Sequence, residues 1–569
     1  MLKNVLISIG LLTTFFRLAT AEDNSDYWDL KKLAAHASTA KDADRVIALA
    51  GKLVERSPGD VEAWYMLSVA YESSGNLTGA IAAGERVQIL GYRARPVLSY
   101  RLARLHARVG DTEAALRWLE RCLVERYENR QGIQSDDAFV ALRDDSRFRK
   151  LAAMVPKEEW TRAAGWRFDL DYLIEEARRL HAAPSRPAFS RRFEVEAANL
   201  RDAIGNMTND EIFAGMRRLV AILNDGHTSL YGPGPDAKLQ FNRRTLPLKF
   251  YWFPDGLYII DGVESAVEHT GSRVVRFGNL ATDEVLRRLS EFRGVDNAMT
   301  WKWMGPQFYV RYLSLLREVG ATTVDESIEL TLLTPDGVEK RLTVEGGNFD
   351  IQRKLRPVPG SDRDVPRYLS RVDDHYWLEA LPDHQALFFQ FNQVRDAEQE
   401  SIAKFAERLR KNLAQADVKN LIIDVRHNNG GNNSLVRPLI RAMVEFDVAR
   451  PDHRIFVLMG RNTFSAAQNF INRIERWTDA VFVGEPSASS PNFVGEETSL
   501  LLPFSRIRGS ISTRFWQDSD PGDHRVWIAP DIPVALEAAD YFAGRDPVLE
   551  ATLARIESAP DVHVGAVGR

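Results

Sequence analysis

One serine of this chain lies where a hydroxyl group could become a nucleophile. Ser465 follows an apolar segment, residues 454–460, that is predicted to be a buried strand, and it opens an amphipathic segment, residues 465–475, that is predicted to be a helix. At such a junction the free backbone N–H groups and the positive end of the helix dipole favour developing negative charge. An N-cap serine occupies the same position more often. Taken alone, Ser465 is therefore either a helix cap or a nucleophile.

A second segment carries paired glycines after another apolar strand. Asp-Val-Arg-His-Asn-Asn-Gly-Gly runs from Asp424 to Gly431 and precedes a predicted helix. Glycines let backbone N–H groups approach a substrate oxygen without an intervening side chain. We expect the N–H of Ala466 to face the same space as that of Gly430 or Gly431. Together these groups predict an oxyanion hole, although a turn that merely needs positive φ would contain the same glycines.

The third candidate is a histidine in a turn. Leu-Asn-Asp-Gly-His-Thr occupies positions 223–228, at the end of a predicted helix, and contains His227. Such a histidine can be the base that activates a serine from a distant part of the chain, although loop histidines more often have a structural role. His227 and Ser465 are 238 positions apart. The sequence alone leaves open whether they meet.

These segments belong to different predicted regions. Residues 160–235 are predicted to form a helical bundle that ends in the histidine turn, and residues 241–352 alternate like β-strands. Residues 370–558 alternate strand and helix, which predicts an α/β layer with parallel strands. Functional sites in such layers lie at the carboxyl ends of the strands. The glycine pair and Ser465 both follow predicted strands of this layer.

The region before them, residues 28–155, is predicted to be a helical repeat array. Gly75 and Gly110 are 35 positions apart, as are Ala80 and Ala115, and small residues at these points let paired helices pack closely. The pattern resembles tetratricopeptide repeats, whose period is about 34 residues. Such arrays usually bind other proteins, so protein partners are expected here.

The first 21 residues are predicted to be a secretory signal. They combine a basic start with Lys3, an apolar run over residues 5–16 and an Ala-Thr-Ala site that ends at Ala21. The apolar run is shorter than the roughly 20 residues that span a bilayer, so no membrane span is predicted. The single cysteine, Cys122, allows no internal disulfide. We therefore expect an exported protein, periplasmic or secreted.

Composition and motifs argue against several other classes. The formal charge of −5 over 569 residues, without a basic stripe, disfavours nucleic acid as a partner. No His-Glu-x-x-His or clustered Cys/His pattern indicates a metal, and no P-loop or dinucleotide fingerprint indicates a cofactor. Neither a metal nor a cofactor is expected. The length predicts several domains.

In this order, the three segments resemble the tail-specific (C-terminal processing) protease family, in particular its tricorn-like branch. The resemblance covers about residues 160–555 and includes Val-Gly-Glu-Pro at 483–486 and Pro-Asp at 530–531. It implies a multidomain fold in which a helical bundle precedes a PDZ-like module at 241–352 and a crotonase/ClpP-like α/β spiral core at 370–558. It also implies peptidase activity, with Ser465 as the nucleophile and His227 as the general base.

The resemblance distinguishes two catalytic arrangements. One branch of the family uses a lysine about 25 positions after the serine. Ser490 stands there in this chain and the last lysine is Lys419, which excludes a Ser–Lys pair. The tricorn-like branch uses the histidine and a later acid, which implies Asp523 as the carboxylate that orients His227. Gly226 stands where that branch has a serine beside the histidine.

The sequence favours an exported serine-type peptidase acting on peptides or proteins, and two alternatives stay open. A catalytically inactive family member could bind peptides or apolar ligands, since the same family includes retinoid carriers and 10% of the residues are aromatic. Core packing explains that aromatic content equally well. The chain could also be a repeat scaffold in which the α/β region is only structural.

Overall fold

The computed structural model describes residues 21–155, 160–182, 189–352, 354–360 and 363–558. The predicted signal lies outside these residues except for Ala21. The chain divides into two compact units, Met1–Glu159 and Trp160–Arg569. No helix in the described part of the chain is long and apolar enough to cross a membrane.

The first unit consists of helices, of which the first six pack in succession, each against its neighbour along the chain, and the sixth also packs on the last. Six of them begin at an Asp or Asn whose side chain accepts a backbone N–H of the first turn, which satisfies donors that the helix itself leaves free: Asp42, Asp60, Asn76, Asp111, Asn129 and Asp145. The helices are α1 (Ala21–Thr39), α2 (Ala43–Arg56), α3 (Val61–Ser73), α4 (Leu77–Leu90), α5 (Arg95–Arg108), α6 (Thr112–Val124), α7 (Arg130–Ser135) and α8 (Ser146–Leu151).

The 35-residue period of the sequence has a counterpart in the structure. Gly75 and Gly110 each follow a helix of the array with φ of 81° and 80°, a conformation that glycine adopts without strain. Ala80 and Ala115 are both completely buried. The helix pairs α3–α4 and α5–α6 therefore repeat the same turn and the same close packing. Their assignment as tetratricopeptide repeats remains a prediction.

The second unit begins with three helices and a strand. They are α9 (Arg162–Leu180), α10 (Arg191–Ala203), α11 (Asn209–Ala221) and β1 (Ser229–Pro233). A capping box starts α11, in which Thr208 and Glu211 satisfy each other's backbone N–H groups. The histidine turn lies between α11 and β1, as the sequence predicts.

An antiparallel sheet follows, with the strand order β2-β3-β4-β6-β7 and β5 paired to β4. Its strands are β2 (Leu248–Phe253), β3 (Gly256–Gly262), β4 (Arg273–Phe277), β5 (Leu280–Ala281), β6 (Ser327–Leu333) and β7 (Glu339–Glu345). The helices α12 (Thr282–Leu289), α13 (Ala298–Met304) and α14 (Leu313–Glu318) belong to the same region. The predicted β region is confirmed at this level, and its PDZ-like character remains a prediction.

The α/β layer is a second sheet, with the order β15-β12-β11-β10-β9-β8, in which only the β8–β9 pair is antiparallel. Its strands are β8 (Tyr376–Leu381), β9 (Ala386–Phe391), β10 (Asn420–Asp424), β11 (Arg454–Met459), β12 (Val481–Gly484) and β15 (Ile532–Pro533). Its helices are α15 (Arg367–Ser370), α16 (Ile402–Leu413), α17 (Arg437–Ala449), α18 (Ala466–Trp477), α19 (Ala538–Ala543) and α20 (Pro547–Ser558). Every residue of β9 and β10 is buried, as expected for central parallel strands.

A small third sheet joins the histidine turn to the chain beyond the serine. Its order is β1-β14-β13, where β13 is Asn492–Leu501 and β14 is Ile507–Gln517. Ser229, two residues after His227, pairs with Ser510 of β14. The pairing places the residues after His227 beside β14, a strand that is much closer to Ser465 in sequence than His227 is.

Candidate active site

Ser465 has an unusual backbone conformation for a residue with a side chain. Its φ is 56° and its ψ is −123°, outside the regions that L-residues favour, which costs about 1–3 kcal/mol. The side chain makes no capping hydrogen bond with α18. Interpretation as an N-cap is therefore wrong, because the hydroxyl group does not satisfy the helix that it precedes. Strain of this kind persists only where surrounding contacts enforce it.

Two buried residues, Thr463 through its side chain and Asn428 through its backbone, enforce the turn before Ser465. Thr463 accepts a hydrogen bond from Gly460 N and donates one to the carbonyl of Val425, both at 3.1 Å. Asn428 accepts a hydrogen bond from Phe464 N through its own carbonyl, at 3.1 Å. The turn after β11 is thus attached to the loop after β10.

The same Asn428 arranges the glycine pair. Its side chain donates to the carbonyl of Phe391 and accepts from Gly430 N, both at 3.0 Å. Gly430 has φ of 111°, and a Cβ there would lie 2.8 Å from Cβ of Ser465 and 2.9 Å from N of Ala466. Only glycine fits so close to the serine. The structure therefore brings Gly430, Ser465 and Ala466 together.

The backbone N–H groups at this point are not equivalent. The N–H of Gly430 is used by Asn428, whereas those of Gly431 and Ala466 donate no hydrogen bond within the described residues. Gly431 has φ of 137°, and a Cβ there would lie 2.2 Å from the carbonyl oxygen of Val394. Of the three predicted oxyanion donors, Gly431 and Ala466 are free to bind an oxyanion and Gly430 shapes the space beside them.

His227 is held by its backbone. Asp225 accepts the N–H groups of His227 and Thr228, at 2.9 and 2.7 Å, and the hydroxyl of Ser512 at 2.6 Å. Its second oxygen lies 2.8 Å from Nε2 of His181. Burial alone would raise the pKa of Asp225, but these hydrogen bonds and the charge of His181 hold it well below its usual range. Asp225 is thus an ionised anchor for the histidine turn.

The ring of His227 lies between two phenyl rings. Its centroid is 4.4 Å from that of Phe464, the neighbour of Ser465, and 5.7 Å from that of Phe493 in β13, with nearly parallel planes. Neither ring nitrogen makes a well-formed hydrogen bond among the described residues, although the backbone of Val494 lies close enough to raise the pKa of the ring. Burial lowers the pKa of His227 to about 4, against the opposing charge of Asp225. At neutral pH the ring is therefore an uncharged base, packed against the residue that precedes Ser465.

Asp523 does not meet His227 in the structure. Its carboxylate accepts hydrogen bonds from Nη2 of Arg525 at 2.8 Å and from the hydroxyl of Ser519 at 2.7 Å, and Arg525 also binds Glu475. Arg525 lowers the pKa of Asp523 to about 2. The expectation that Asp523 bonds to the imidazole is corrected here, because a guanidinium two residues further on takes up its oxygens.

A carboxyl group that the sequence analysis missed lies beside the histidine turn. Oδ1 of Asp296 accepts the N–H of Gly226 at 2.8 Å, and its Oδ2 is buried without a hydrogen-bond partner. Burial and the charge of Asp225 raise the pKa of Asp296 to about 7. The only local signal is that Asp296 precedes Asn297, the N-cap of α13, and such a signal does not indicate a catalytic site.

A cavity of about 270 Å³ lies at the carboxyl ends of the parallel strands. Asn429 and Asn462 line it, and they belong to the loops that carry Gly430 and Ser465. Arg461 in its wall is paired with Glu485 at 2.5 Å, whereas Lys302 makes no ion pair within the described residues. The remaining walls are largely aromatic and aliphatic and include Tyr251, Trp303, Phe308, Leu355 and Leu536. Clefts at this edge of a parallel sheet are the usual binding sites of α/β folds.

Comparison with solved structures identifies the type of fold. A mutant of CPAF shares 12% sequence identity and superposes with a TM-score of 0.50 over 71% of this chain and 99% of CPAF. The tricorn protease gives 13% identity and a TM-score of 0.36 over 70% of this chain and 37% of its own, and the photosystem II D1 C-terminal processing protease gives 12% and 0.34 over 69% and 97%. No family model and no curated protein matches the sequence. The likeness to CPAF shows a shared fold.

Proposed function

We propose that the chain is a serine-type peptidase in which Ser465 is the nucleophile and His227 is the general base. The observation that carries this proposal is the conformation of Ser465, which is strained, does not cap its helix and stands beside the unused N–H of Ala466. A structural serine at a helix start would gain from capping and would need no strain. A nucleophile has to be presented in this way.

The reaction follows from the groups that surround the serine. Oγ of Ser465 attacks the carbonyl carbon of the peptide bond as its proton passes to the uncharged ring of His227. The N–H groups of Gly431 and Ala466 bind the oxyanion that forms. The C–N bond then breaks as the leaving nitrogen takes the proton back from the imidazolium, and water releases the acyl group by the same route.

The cavity beside Asn429 and Asn462 receives a part of the substrate away from the scissile bond, since Asn429 precedes Gly430 and Asn462 lies three residues before Ser465, while neither Ser465 nor His227 lines the cavity. Its aromatic walls favour an apolar side chain. Export through the N-terminal leader, recruitment of partner proteins by the helical array, the PDZ-like module and the tricorn-like branch belong to the same proposal. The export rests on the pattern of residues 1–21 and the recruitment on the 35-residue period of the array, while the module and the branch rest on the sequence resemblance.

A second candidate is a binding protein without catalysis. It is favoured by one observation: no carboxylate bonds to the ring of His227, and neither ring nitrogen makes a well-formed hydrogen bond within the described residues. Serine–histidine pairs without an orienting carboxylate are slower by about 10⁴. Apo sites often contain long or missing catalytic hydrogen bonds that tighten with substrate, so the open ring is also compatible with a peptidase.

The test is covalent labelling of the purified protein with a fluorophosphonate probe. Wild type is compared with Ser465→Ala and with His227→Phe, which keeps an aromatic ring between Phe464 and Phe493 but removes the base. We expect labelling of the wild type and none of either variant. A folded wild type that takes up no probe would leave the binding protein as the better assignment.

A further inference from the structure

Asp296 touches the supports of both proposed catalytic residues. Its Oδ1 accepts the N–H of Gly226, the residue before His227, at 2.8 Å. Ser489 lies near enough to the same carboxyl group to lower its pKa, and the hydroxyl oxygen of Ser489 accepts the N–H of Ser465 at 3.4 Å. One carboxyl group therefore connects the histidine turn to the serine turn.

The segment that carries Asp296 is fixed from its other side. Nδ2 of Asn297 donates to the carbonyls of Ser487 and Val526, at 3.1 and 2.7 Å. The hydroxyl of Thr300 donates to the carbonyl of Ala488 at 2.6 Å. Residues 296–300 thus pack against the loop that contains Ser489. This arrangement holds the carboxyl group in place without using its second oxygen.

Space around this group is tight. A Cβ at Gly226 would lie 2.8 Å from the ring of Phe464 and 3.2 Å from Oδ1 of Asp296. The ring of Phe464 is the one on which His227 stacks. Gly226 therefore contacts both the carboxyl group of Asp296 and the phenyl ring on which the imidazole stacks.

The charged groups that face Asp296 come from three elements. Asp225 lies in the histidine turn and is paired with His181 at the end of α9, and Arg293 lies just before Asp296 and donates to the carbonyl of Gly226. Asp225 raises the pKa of Asp296 and Arg293 lowers it, while burial is the largest influence and raises it. Oδ2 of Asp296 has no hydrogen-bond partner within the described residues. A buried oxygen without a partner lowers the stability of the fold, so its presence here points to a role in function.

We propose that Asp296 is a positioning residue and the charge partner of His227, and that it acts in its carboxylate form. This inference rests on the proposed function. When His227 takes the proton of Ser465, a buried imidazolium forms, and a nearby carboxylate stabilises it. Asp225 is already committed to His181 and to three other donors, whereas Asp296 has an oxygen to spare. Protonated Asp296 lacks the charge, so the reaction slows as pH falls below the pKa of Asp296.

The experiment measures the rate of fluorophosphonate labelling from about pH 5.5 to 8.5 for wild type and Asp296→Asn. The wild-type rate should rise with pH around neutrality. The variant should be slower at pH 8.5 by at least about tenfold and should show no rise in this range, because a carboxylate near the imidazolium is worth that much or more. Loss of the base itself, as His227 becomes protonated near pH 4, falls outside the range.

The matched control is Asp169→Asn. Asp169 is also buried, accepts the N–H groups of Phe504 and Ser505 at 2.8 and 2.7 Å, and has a pKa raised by burial to about 6. It packs at the start of the second unit and contacts none of the proposed catalytic residues. We expect its labelling rate and pH profile to match those of the wild type.

The outcomes separate the two proposals. Equal rates and equal pH profiles for wild type and Asp296→Asn would overturn the role of Asp296 and leave the peptidase standing. A uniform loss at every pH, with the neutral rise retained, would indicate a structural contribution only and would also overturn it. A folded wild type without labelling would refute the peptidase, and the role of Asp296 with it.

Discussion

Two buried aspartates beside Gly226, Asp225 and Asp296, have pKa values that are shifted in opposite directions. Burial raises the pKa of both Asp225 and Asp296. Asp225 nevertheless has a strongly lowered pKa, because the ring of His181, through its hydrogen bond and its charge, and the hydroxyls of Ser512 and Thr228 stabilise the carboxylate. Asp296 receives one backbone N–H and has a pKa of about 7. The number of donors, more than the depth of burial, decides the charge of a carboxyl group here.

We expect the largest loss of stability at Asp225, because both of its carboxylate oxygens have hydrogen-bond partners. Asp225→Asn leaves His181 and two backbone N–H groups in the interior with a neutral and weaker acceptor. We expect a loss of about 3–5 kcal/mol in the free energy of unfolding, as for other broken buried pairs. Urea denaturation at pH 7 measures it. The double variant with His181→Gln should lose little more than Asp225→Asn alone, and a single-variant loss below about 1 kcal/mol would contradict the role of anchor.

Replacement of Asp296, which accepts one backbone N–H, should change the free energy of unfolding in the opposite direction. Its pKa is raised on folding, so its contribution to stability is fully present below the pKa of the unfolded chain and is lost as pH rises through about 7. Asp296→Asn removes this loss. Relative to wild type, the variant should gain about 2–3 kcal/mol in unfolding free energy between pH 5 and pH 8.5. Denaturation curves at the two pH values measure the change.

A constant offset between Asp296→Asn and wild type, the same at pH 5 and pH 8.5, would contradict the raised pKa. The offset itself is uninformative, since the asparagine amide has two N–H donors to place where Oδ2 has no partner. Only the dependence on pH reports the titration of the carboxyl group.

The same contrast explains how far the sequence predicts this site. The strand Arg454–Met459 lies within the predicted strand at residues 454–460, because a run of apolar residues is a local signal. Prediction also found both turns at the carboxyl ends of the parallel strands, since glycines and a serine after a strand are equally local. It placed Ser465 inside its helix, whereas the helix begins at Ala466.

The sequence could not predict contacts between distant segments. Asp225 and Asp296 are 71 positions apart, and only the fold places them on either side of Gly226. Asp523 was selected by its position relative to a later Pro-Asp pair, which carries no information about Arg525 as a closer partner. The charge of an acid depends on its hydrogen-bond donors, and donors from other segments are not visible in a sequence.

Gly226, which follows Asp225 and contacts Asp296, gives a sharper test of how closely these groups pack. Gly226→Ala places a methyl group 2.8 Å from the ring of Phe464 and 3.2 Å from Asp296, so one of them has to move. We expect a loss of about 1–3 kcal/mol from overpacking, together with slower labelling at Ser465. Gly205→Ala is the control, because a Cβ at Gly205 would meet no atom within 4 Å. Equal stability of Gly226→Ala and wild type would show that this contact is not tight in solution.

The smallest effect is expected at the acid that the sequence favoured. Asp523 pairs with the half-exposed Arg525 and bonds to Ser519, so Asp523→Asn removes a surface ion pair worth less than about 1 kcal/mol. Its carboxylate makes no hydrogen bond with His227, and we expect the rate of labelling at Ser465 to stay within about twofold of wild type. Labelling and thermal unfolding, measured beside Asp296→Asn at pH 8.5, decide between the two acids. A large loss of labelling in Asp523→Asn with a normal rate in Asp296→Asn would reverse the assignment, and it would require the segment around Asp523 to reach His227 in a conformation other than this one.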